Sequence, residues 1–358
     1  MSRVVVTGAT GNVGTAVVRV LTLRGHDVVG VARRPPAAAP HGAPDAEWVS
    51  VDLAEGDGVL PLRALVSDAD AVIHLAWAFQ PMRRRGYLRR ACVEALDRVV
   101  RTTLAHSDAH LIHVSSVAAY TARRSERLVD EAWPRDGIAG ATYSQLKVEA
   151  ERVLAARTRQ YGATERVTVA RPCLIGQRSA GGPMLRCGSP AWLPGKLIPH
   201  VPLVPVDERF GLQMVHADDV AEVLARILEQ RESGAFNLAA DGIVRGEDIA
   251  RILRARTVTV RQEVVRQAAA AAWHTHLNPL DPGWVDMALQ APWVDSRRAR
   301  SVLGWRPAHS ACDVLEELVQ GMVTGAGGAD TGALRPRTGS DGLRRALSDG
   351  PVAHRTRT

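Results

Sequence analysis

Lysine is almost missing from this chain. Of its 45 basic residues only Lys147 and Lys196 are lysine, and arginine supplies the rest. Aromatic residues are also scarce, with four tyrosines, three phenylalanines and eight tryptophans in 358 positions. The four cysteines, at 92, 173, 187 and 312, form no Cys-x-x-Cys pair, so their spacing argues against a zinc site and against a disulfide framework. They read as reduced and structural, and no metal site is expected. No run of 18 apolar residues occurs, which argues against a membrane-spanning helix, and "MSRVVVTGATGNVG" enters a strand pattern without the apolar core of a signal peptide. The expectation is a cytoplasmic protein with no membrane partner.

Apolar residues make up 46% of the chain, enough for one large α/β domain with an elaborated region, or for two domains. The net charge of +7 raises the question of nucleic acid, but no nucleic-acid motif accompanies it and no such partner is expected. Part of the charge sits in the tail, 325–358, where arginines and glycines without apolar periodicity predict disorder. A second cluster, "PMRRRGYLRR" (81–90), reads as a solvated loop, with anion binding or a substrate gateway as the alternative.

Six short apolar runs have the look of buried parallel strands: "RVVVTG" (3–8), "DVVGVA" (27–32), "EWVSVD" (47–52), "AVIHLA" (71–76), "HLIHVSS" (110–116) and "RVTVARP" (166–172). Helical patterns lie between several of them. "GTAVVRVLTLRG" stops at Gly25, and "YLRRACVEALDRVVRTTLAHS" spaces its apolar residues at three and four. Strand, helix and strand in repetition predict a doubly wound parallel α/β sheet of the Rossmann kind, with the chemistry at the carboxyl ends of the strands. A smaller carboxyl-terminal substrate lobe is expected from 173–214 and 241–324, with 215–240 returning to the cofactor domain of 1–172.

The first strand end carries "TGATGNVG". Gly8 suits the tight turn, Gly11 a close backbone approach to a pyrophosphate and Gly14 a close helix, whose N-terminus favours negative charge. At the second strand end, where a carboxylate would accept from a ribose 2′-hydroxyl, stand Arg33 and Arg34, able to pair with a 2′-phosphate. NADP is therefore favoured over NAD. Asp52 could accept from the adenine amino group or could cap a helix. Thr10, Asn12, Val13, Leu53, Leu75, Ala76 and Pro172, on the same loop and strand ends, complete the expected cofactor-lining set.

"YSQLK" places Tyr143 four residues before Lys147. With so few of each residue, the spacing would arise by chance with a probability of about 0.02. On a helix the two share a face, and a nearby ammonium is expected to lower the tyrosine pKa toward the range of a general acid or base.

Taken in order, "TGATGNVG", "HLA" (74–76), "VSS" (114–116), "YSQLK" (143–147), "RPCLIG" (171–176), "VHADDVA" (215–221) and "LGWRP" (303–307) resemble the extended short-chain dehydrogenases/reductases, the NAD-dependent epimerase/dehydratase family, over about residues 3–324. The resemblance implies a catalytic trio of Ser116, Tyr143 and Lys147, with the lysine also reaching the nicotinamide ribose. Ser116 is preferred to Ser115 because Tyr120 follows it by four, and strand geometry turns Ser115 the other way. The resemblance further implies a possible homodimer through the helices after the fourth and fifth strands.

Three places depart from the family pattern. Cys92 stands where an asparagine normally supports a relay water, and Cys173 and Leu212 stand where nucleotide-sugar enzymes often carry an asparagine and an arginine. A diphosphate would lack charge-assisted donors there. The expected function is thus hydride transfer on a small hydroxyl or carbonyl substrate, with a nucleotide-sugar epimerase or dehydratase, or a non-catalytic NAD(P) sensor, as alternatives. "CGSPAWLPGKLIPHVPLVP" and Trp192, Trp273, Trp284 and Trp293 are candidates for pocket walls, ordinary packing being the alternative. His216 reads as part of the turn between lobes, and Asp218 and Asp219 as helix caps.

Overall fold

The computed structural model describes residues 1–36, 46–78, 84–188, 194–277, 281–328 and 332–336, with only the backbone of Asp57, Cys187 and Gly188. The first half alternates as the apolar runs require: β1 (Arg3–Thr7), α1 (Asn12–Leu23), β2 (Asp27–Ala32), β3 (Glu47–Ser50), α2 (Val59–Val66), β4 (Ala71–His74), α3 (Arg85–Arg89), α4 (Ala95–His106), β5 (His110–Val114), α5 (Thr142–Gln160) and β6 (Val167–Pro172). A π-helical turn, Arg90–Glu94, joins α3 to α4. Then follow β7 (Leu174–Gly176), α6 (Gly181–Gly188), β8 (Leu203–Val206), β9 (Met214–His216), α7 (Ala217–Gln230), β10 (Gly234–Leu238), α8 (Gly246–Leu253), β11 (Arg256–Thr259), α9 (Gln262–His274), α10 (Pro282–Gln290), α11 (Arg297–Leu303) and α12 (Ala311–Thr324).

Seven strands form one parallel sheet in the order β10-β6-β5-β4-β1-β2-β3. The order reverses between β1 and β4, the point at which sheets of this kind form a crevice at the carboxyl ends of the strands. Both faces are covered, which is why the strands read as unbroken apolar runs. Val4, Val6, Ile73 and Ile112 pack toward α1, α7 and α11, while Val5, Val72 and Leu111 pack toward α2, α4 and α5. The seventh strand, "GAFNL", adds to β6 and was not among the expected strands. Two small parallel ladders, β7 with β9 and β8 with β11, lie outside the main sheet.

The start of α7 differs from expectation. The cap is His216, whose Nδ1 accepts from the Asp218 amide at 3.2 Å. Asp218 pairs with Arg19, and Asp219 accepts from the Ala308 and His309 amides at 2.8 and 3.3 Å. Asp219 therefore fastens the "LGWRP" segment, whose Trp305 is fully buried and donates to the Asp219 carbonyl. The tail also differs in its described part, since Leu334 is buried and its carbonyl accepts from Gly328. Trp192, residues 81–83 of the arginine-rich cluster and the tail from 337 lie outside the described residues. No described helix is long and apolar enough to cross a membrane.

A buried ion pair ties α5 to β6: Arg171 donates to both oxygens of Glu151 at 2.9 and 2.8 Å, and its third nitrogen reaches the Tyr120 hydroxyl at 2.9 Å. Removing one partner of such a pair strands a buried charge. Glu151→Ala should destabilise the fold by about 3–5 kcal/mol in chemical denaturation. A loss below about 1 kcal/mol, the scale of an exposed pair, would show that the pair is not buried in solution.

Candidate active site

The turn after β1 is shaped by what cannot fit in it. Gly8 has φ +72°, and a Cβ there would lie 2.6 Å from the Ala76 nitrogen and 2.8 Å from the Leu75 carbonyl carbon. A Cβ on Gly14 would meet the Gly8 carbonyl oxygen at 2.2 Å. The turn thus closes on the start of α1 on one side and on the segment after β4 on the other. Gly11 is the α1 cap residue and offers no side chain, so the first-turn amides, including those of Asn12 and Val13, have no side-chain cap and could receive an anion. Thr10 is partly exposed beside them. Asn12 turns away from this site: its amide donates to the Ile175 carbonyl, and Gln177 donates to its oxygens. Its side chain couples the turn to β7.

At the end of β2, Arg33 and Arg34 are exposed, and the Arg33 guanidinium donates to the Tyr87 hydroxyl at 2.7 Å. Asp52 accepts from the Ala54 amide at 3.0 Å, a tight local turn, with Leu53 buried beside it. Leu75 and Ala76 are half-buried beside Gly8, and Pro172 closes β6 in the interior. These groups surround the crevice at the strand ends.

Ser116, Tyr143 and Lys147 come together at the same ends. The Ser116 oxygen accepts from the Ala118 amide, opening a short turn at Val117–Ala119, and its hydroxyl lies close enough to act on Tyr143. Ser115 points into the interior, where its hydroxyl has no partner among the described residues. Ser144, which the sequence reading passed over, docks α5 on this turn by accepting from the Ile138 amide and donating to the Ala118 carbonyl, both at 2.7 Å. Lys147 donates to the Val114 carbonyl at 3.1 Å, and its ammonium lies 3.6 Å from the centre of the Trp77 ring. Trp284 packs against Tyr143 at 5.2 Å, and Trp77 meets it edge-on at 6.0 Å. A cavity of about 30 Å³ remains between Trp77, Tyr143, Leu146, Trp284 and Met287. Trp284 thus takes the expected wall position, and Trp77 was missed although a tryptophan directly after "HLA" is conspicuous in so aromatic-poor a chain. Trp293 is buried and held by the Gly211 carbonyl.

The electrostatics correct one expectation. Burial pushes the Tyr143 phenol up rather than down, and Ser116 only partly opposes this. The ammonium is turned onto Val114 and Trp77 and does not offset the burial. Lys147 itself is brought down to about 7 by burial, with a weaker upward pull from Cys92 and Glu151. Cys92, on the π-turn, is thus near Lys147, and burial raises its thiol to about 11. Beneath them, His74 on β4 and His113 on β5 stack at 5.5 Å. Burial first and Lys147 second keep both neutral, His74 at about 3.

Elsewhere, His216, His309 and Glu317 gather three potential ligand atoms within 4.8 Å. The two rings are stacked at 4.1 Å, so their lone pairs run side by side rather than converging. His216 Nδ1 already accepts a backbone amide, which leaves its proton on Nε2, 3.3 Å from Glu317. The cluster is a polar junction between α7 and α12.

The buried lysine has a consequence for stability. Between its folded pKa near 7 and the ordinary value of 10.5 the unfolded chain binds more protons, so this group's penalty fades as pH rises through that window. Lys147→Met should therefore melt above the wild type at pH 7, with the gap closing toward pH 10 in parallel thermal scans. A gap independent of pH would contradict the buried, titrating lysine.

The profile of the NAD dependent epimerase/dehydratase family matches residues 4–239, more than half of the chain. The uncharacterized protein Rv2047c of Mycobacterium tuberculosis is 24% identical over 317 residues, 88% of this chain, and the chain spans 29% of the length of that relative. The terminal R domain from the myxalamid PKS-NRPS biosynthetic pathway superposes with a TM-score of 0.70 at 17% identity, covering 90% of each chain. MoeE5, solved in complex with UDP-glucose and NAD, superposes with a TM-score of 0.66 at 19% identity over 89% of this chain and 98% of its own. At these identities the structural likeness carries the fold alone, and the profile match carries the family: the chain belongs to the NAD-dependent epimerase/dehydratase family.

Proposed function

We propose that this protein transfers hydride between a nicotinamide dinucleotide and a small hydroxyl or carbonyl substrate, with NADP preferred to NAD, Tyr143 moving the proton, Ser116 holding the substrate oxygen and Lys147 supporting the cofactor. The observation that carries this reading is the continuity of one strand end. The segment Leu75–Ala76 packs on Gly8 of the glycine turn, and the next residue, Trp77, lies on Lys147, which is one helical turn from Tyr143. A phosphate cradle and a proton-transfer group are thus joined by three residues.

When bound, the nicotinamide supplies or takes the hydride. A phenol pushed upward by burial is protonated at neutral pH, which suits donation to a carbonyl oxygen and favours reduction. The Ser116 hydroxyl, which acts on Tyr143, would present that oxygen to it. Trp77 covers the ammonium, so a ribose hydroxyl that reaches Lys147 displaces the indole. Exposed Arg33, steadied by Tyr87, supports a 2′-phosphate partner, and no carboxylate occupies the end of β2. The family resemblance supports a homodimer in the same reading.

The epimerase or dehydratase alternative on nucleotide sugars gains no support from the two positions where such enzymes often carry an asparagine and an arginine: Cys173 is buried and Leu212 packs partly buried against the Met214 and Val314 cluster. The sensor alternative makes no use of the Ser116–Tyr143 contact. Purified protein with NADPH and a carbonyl panel should consume the cofactor, and Tyr143→Phe should lower turnover by at least about 100-fold while leaving cofactor affinity nearly unchanged. Equal turnover in the variant refutes the assignment. In calorimetric titrations NADP should bind more tightly than NAD, and Arg33→Ala should weaken NADP alone by about tenfold. Tighter NAD binding refutes the cofactor preference.

A further inference from the structure

Leu212 lacks the charge of the arginine often found at its place, yet the fold brings other guanidinium groups close by. Leu212 and Val244 form an isolated antiparallel bridge with backbone bonds of 2.9 and 2.8 Å, and the residue after Val244 is Arg245. The Arg245 guanidinium lies 4.5 Å from the centre of the Trp293 ring, and that of Arg123 lies 4.4 Å from the same ring. Trp293 is 3% exposed and pinned by the Gly211 carbonyl, so it acts as a fixed plate. Arg123 donates to the Arg209 carbonyl at 2.6 Å, while its Nη1 is buried without a partner among the described residues.

The two like charges feel each other: burial, and then the charge of Arg245 acting against the pull of Glu126, bring the Arg123 pKa below its ordinary value. Of the acids that act on them, Asp207 has both oxygens engaged by the Arg209 and Gln262 amides at 2.9 and 3.0 Å. Glu126 alone offers a carboxylate, bonded to Arg245 at 3.2 and 3.1 Å from an exposed loop. A pair of guanidinium groups on an aromatic plate, with Asp207 acting on Arg123 only through its charge and the exposed Glu126 the one carboxylate bonded directly to either among the described residues, has the chemistry of an oxyanion receptor whose own loop fills it.

We propose that Arg123 and Arg245 bind an oxyanion carried by the substrate, a phosphoryl or carboxylate group, and that Glu126 is an internal stand-in which that group displaces. The place in the fold supports a substrate arm. The Arg123 amide donates to the Gln290 carbonyl at 2.8 Å, at the end of α10, and the same helix places Trp284 beside Tyr143. Six residues of helix separate Trp284 from Gln290, about 9 Å along its axis. That the anion belongs to the substrate rests on the reading of Tyr143 as the proton-transfer group, whereas the anion site itself does not.

The test uses the full chain saturated with NADP, so that the glycine turn is filled, titrated with inorganic phosphate and separately with acetate by calorimetry. Glu126→Gln should tighten oxyanion binding severalfold, Arg245→Ala should weaken it by about tenfold, and Tyr143→Phe should leave it unchanged. The tighter of the two probes identifies the group as phosphoryl or carboxylate. Identical affinities in the wild type, Glu126→Gln and Arg245→Ala overturn the proposal, and Glu126, being exposed, keeps the test valid if Arg245→Ala folds poorly. Because the readout is binding, loss of the Tyr143 assignment would leave this result standing, and the converse also holds.

Discussion

The close approach of Gly8 to the backbone of Leu75 and Ala76 is the contact on which the rest of the site depends. No Cβ fits between them, and the positive φ at Gly8 would strain any other residue. With β1 and β4 paired at the point where strand order reverses, this contact sets how far the segment after β4 can lean over the crevice. Trp77 follows immediately and lies on Lys147, so a steric constraint at residue 8 sets the surroundings of a titratable group at residue 147. The segment after β4 is thus both the wall of the glycine turn and the cover of the lysine.

Burial, rather than the distance between charges, sets the protonation of this site. Tyr143 and Lys147 share a helix face as their spacing requires, yet each is driven toward its neutral form by desolvation. Neutral His74 and His113 below them add no compensating charge. A group held near neutrality in this way responds strongly to any charge brought into the crevice, because the low local polarity that weakens its ionised form also strengthens the next interaction.

How much of this was legible in the sequence differs from element to element. The six strands showed as apolar runs because helices cover both faces of the sheet, and the glycine turn showed because its steric demands leave glycine as the choice. β10 did not, since "GAFNL" mixes glycine and a buried Asn237 whose oxygen accepts from Tyr120, and that hydrogen bond exists only in the folded chain. The Asp218–Asp219 pair resembled a cap, but the neighbouring histidine took that place and Asp219 was drawn to a segment some 90 residues away. The lowered tyrosine expected from spacing failed for a similar reason: desolvation is a property of the surroundings, and Trp77 and Trp284 come from two distant segments.

The scarcity of lysine also acquires a physical meaning here. The chain uses arginine wherever a permanent cation is paired or stacked, as at Arg171 with Glu151 and at Arg123 and Arg245 on Trp293. A guanidinium keeps its proton in such places. At 147 the environment pushes a cation toward neutrality, with no carboxylate bonded to the ammonium among the described residues and an indole across its face. An arginine there would hold an uncompensated charge in the interior, while a lysine can shed its proton and regain it when the crevice supplies a partner. Of the two lysines in the chain, Lys147 occupies the position where that difference decides whether the buried layer can exist.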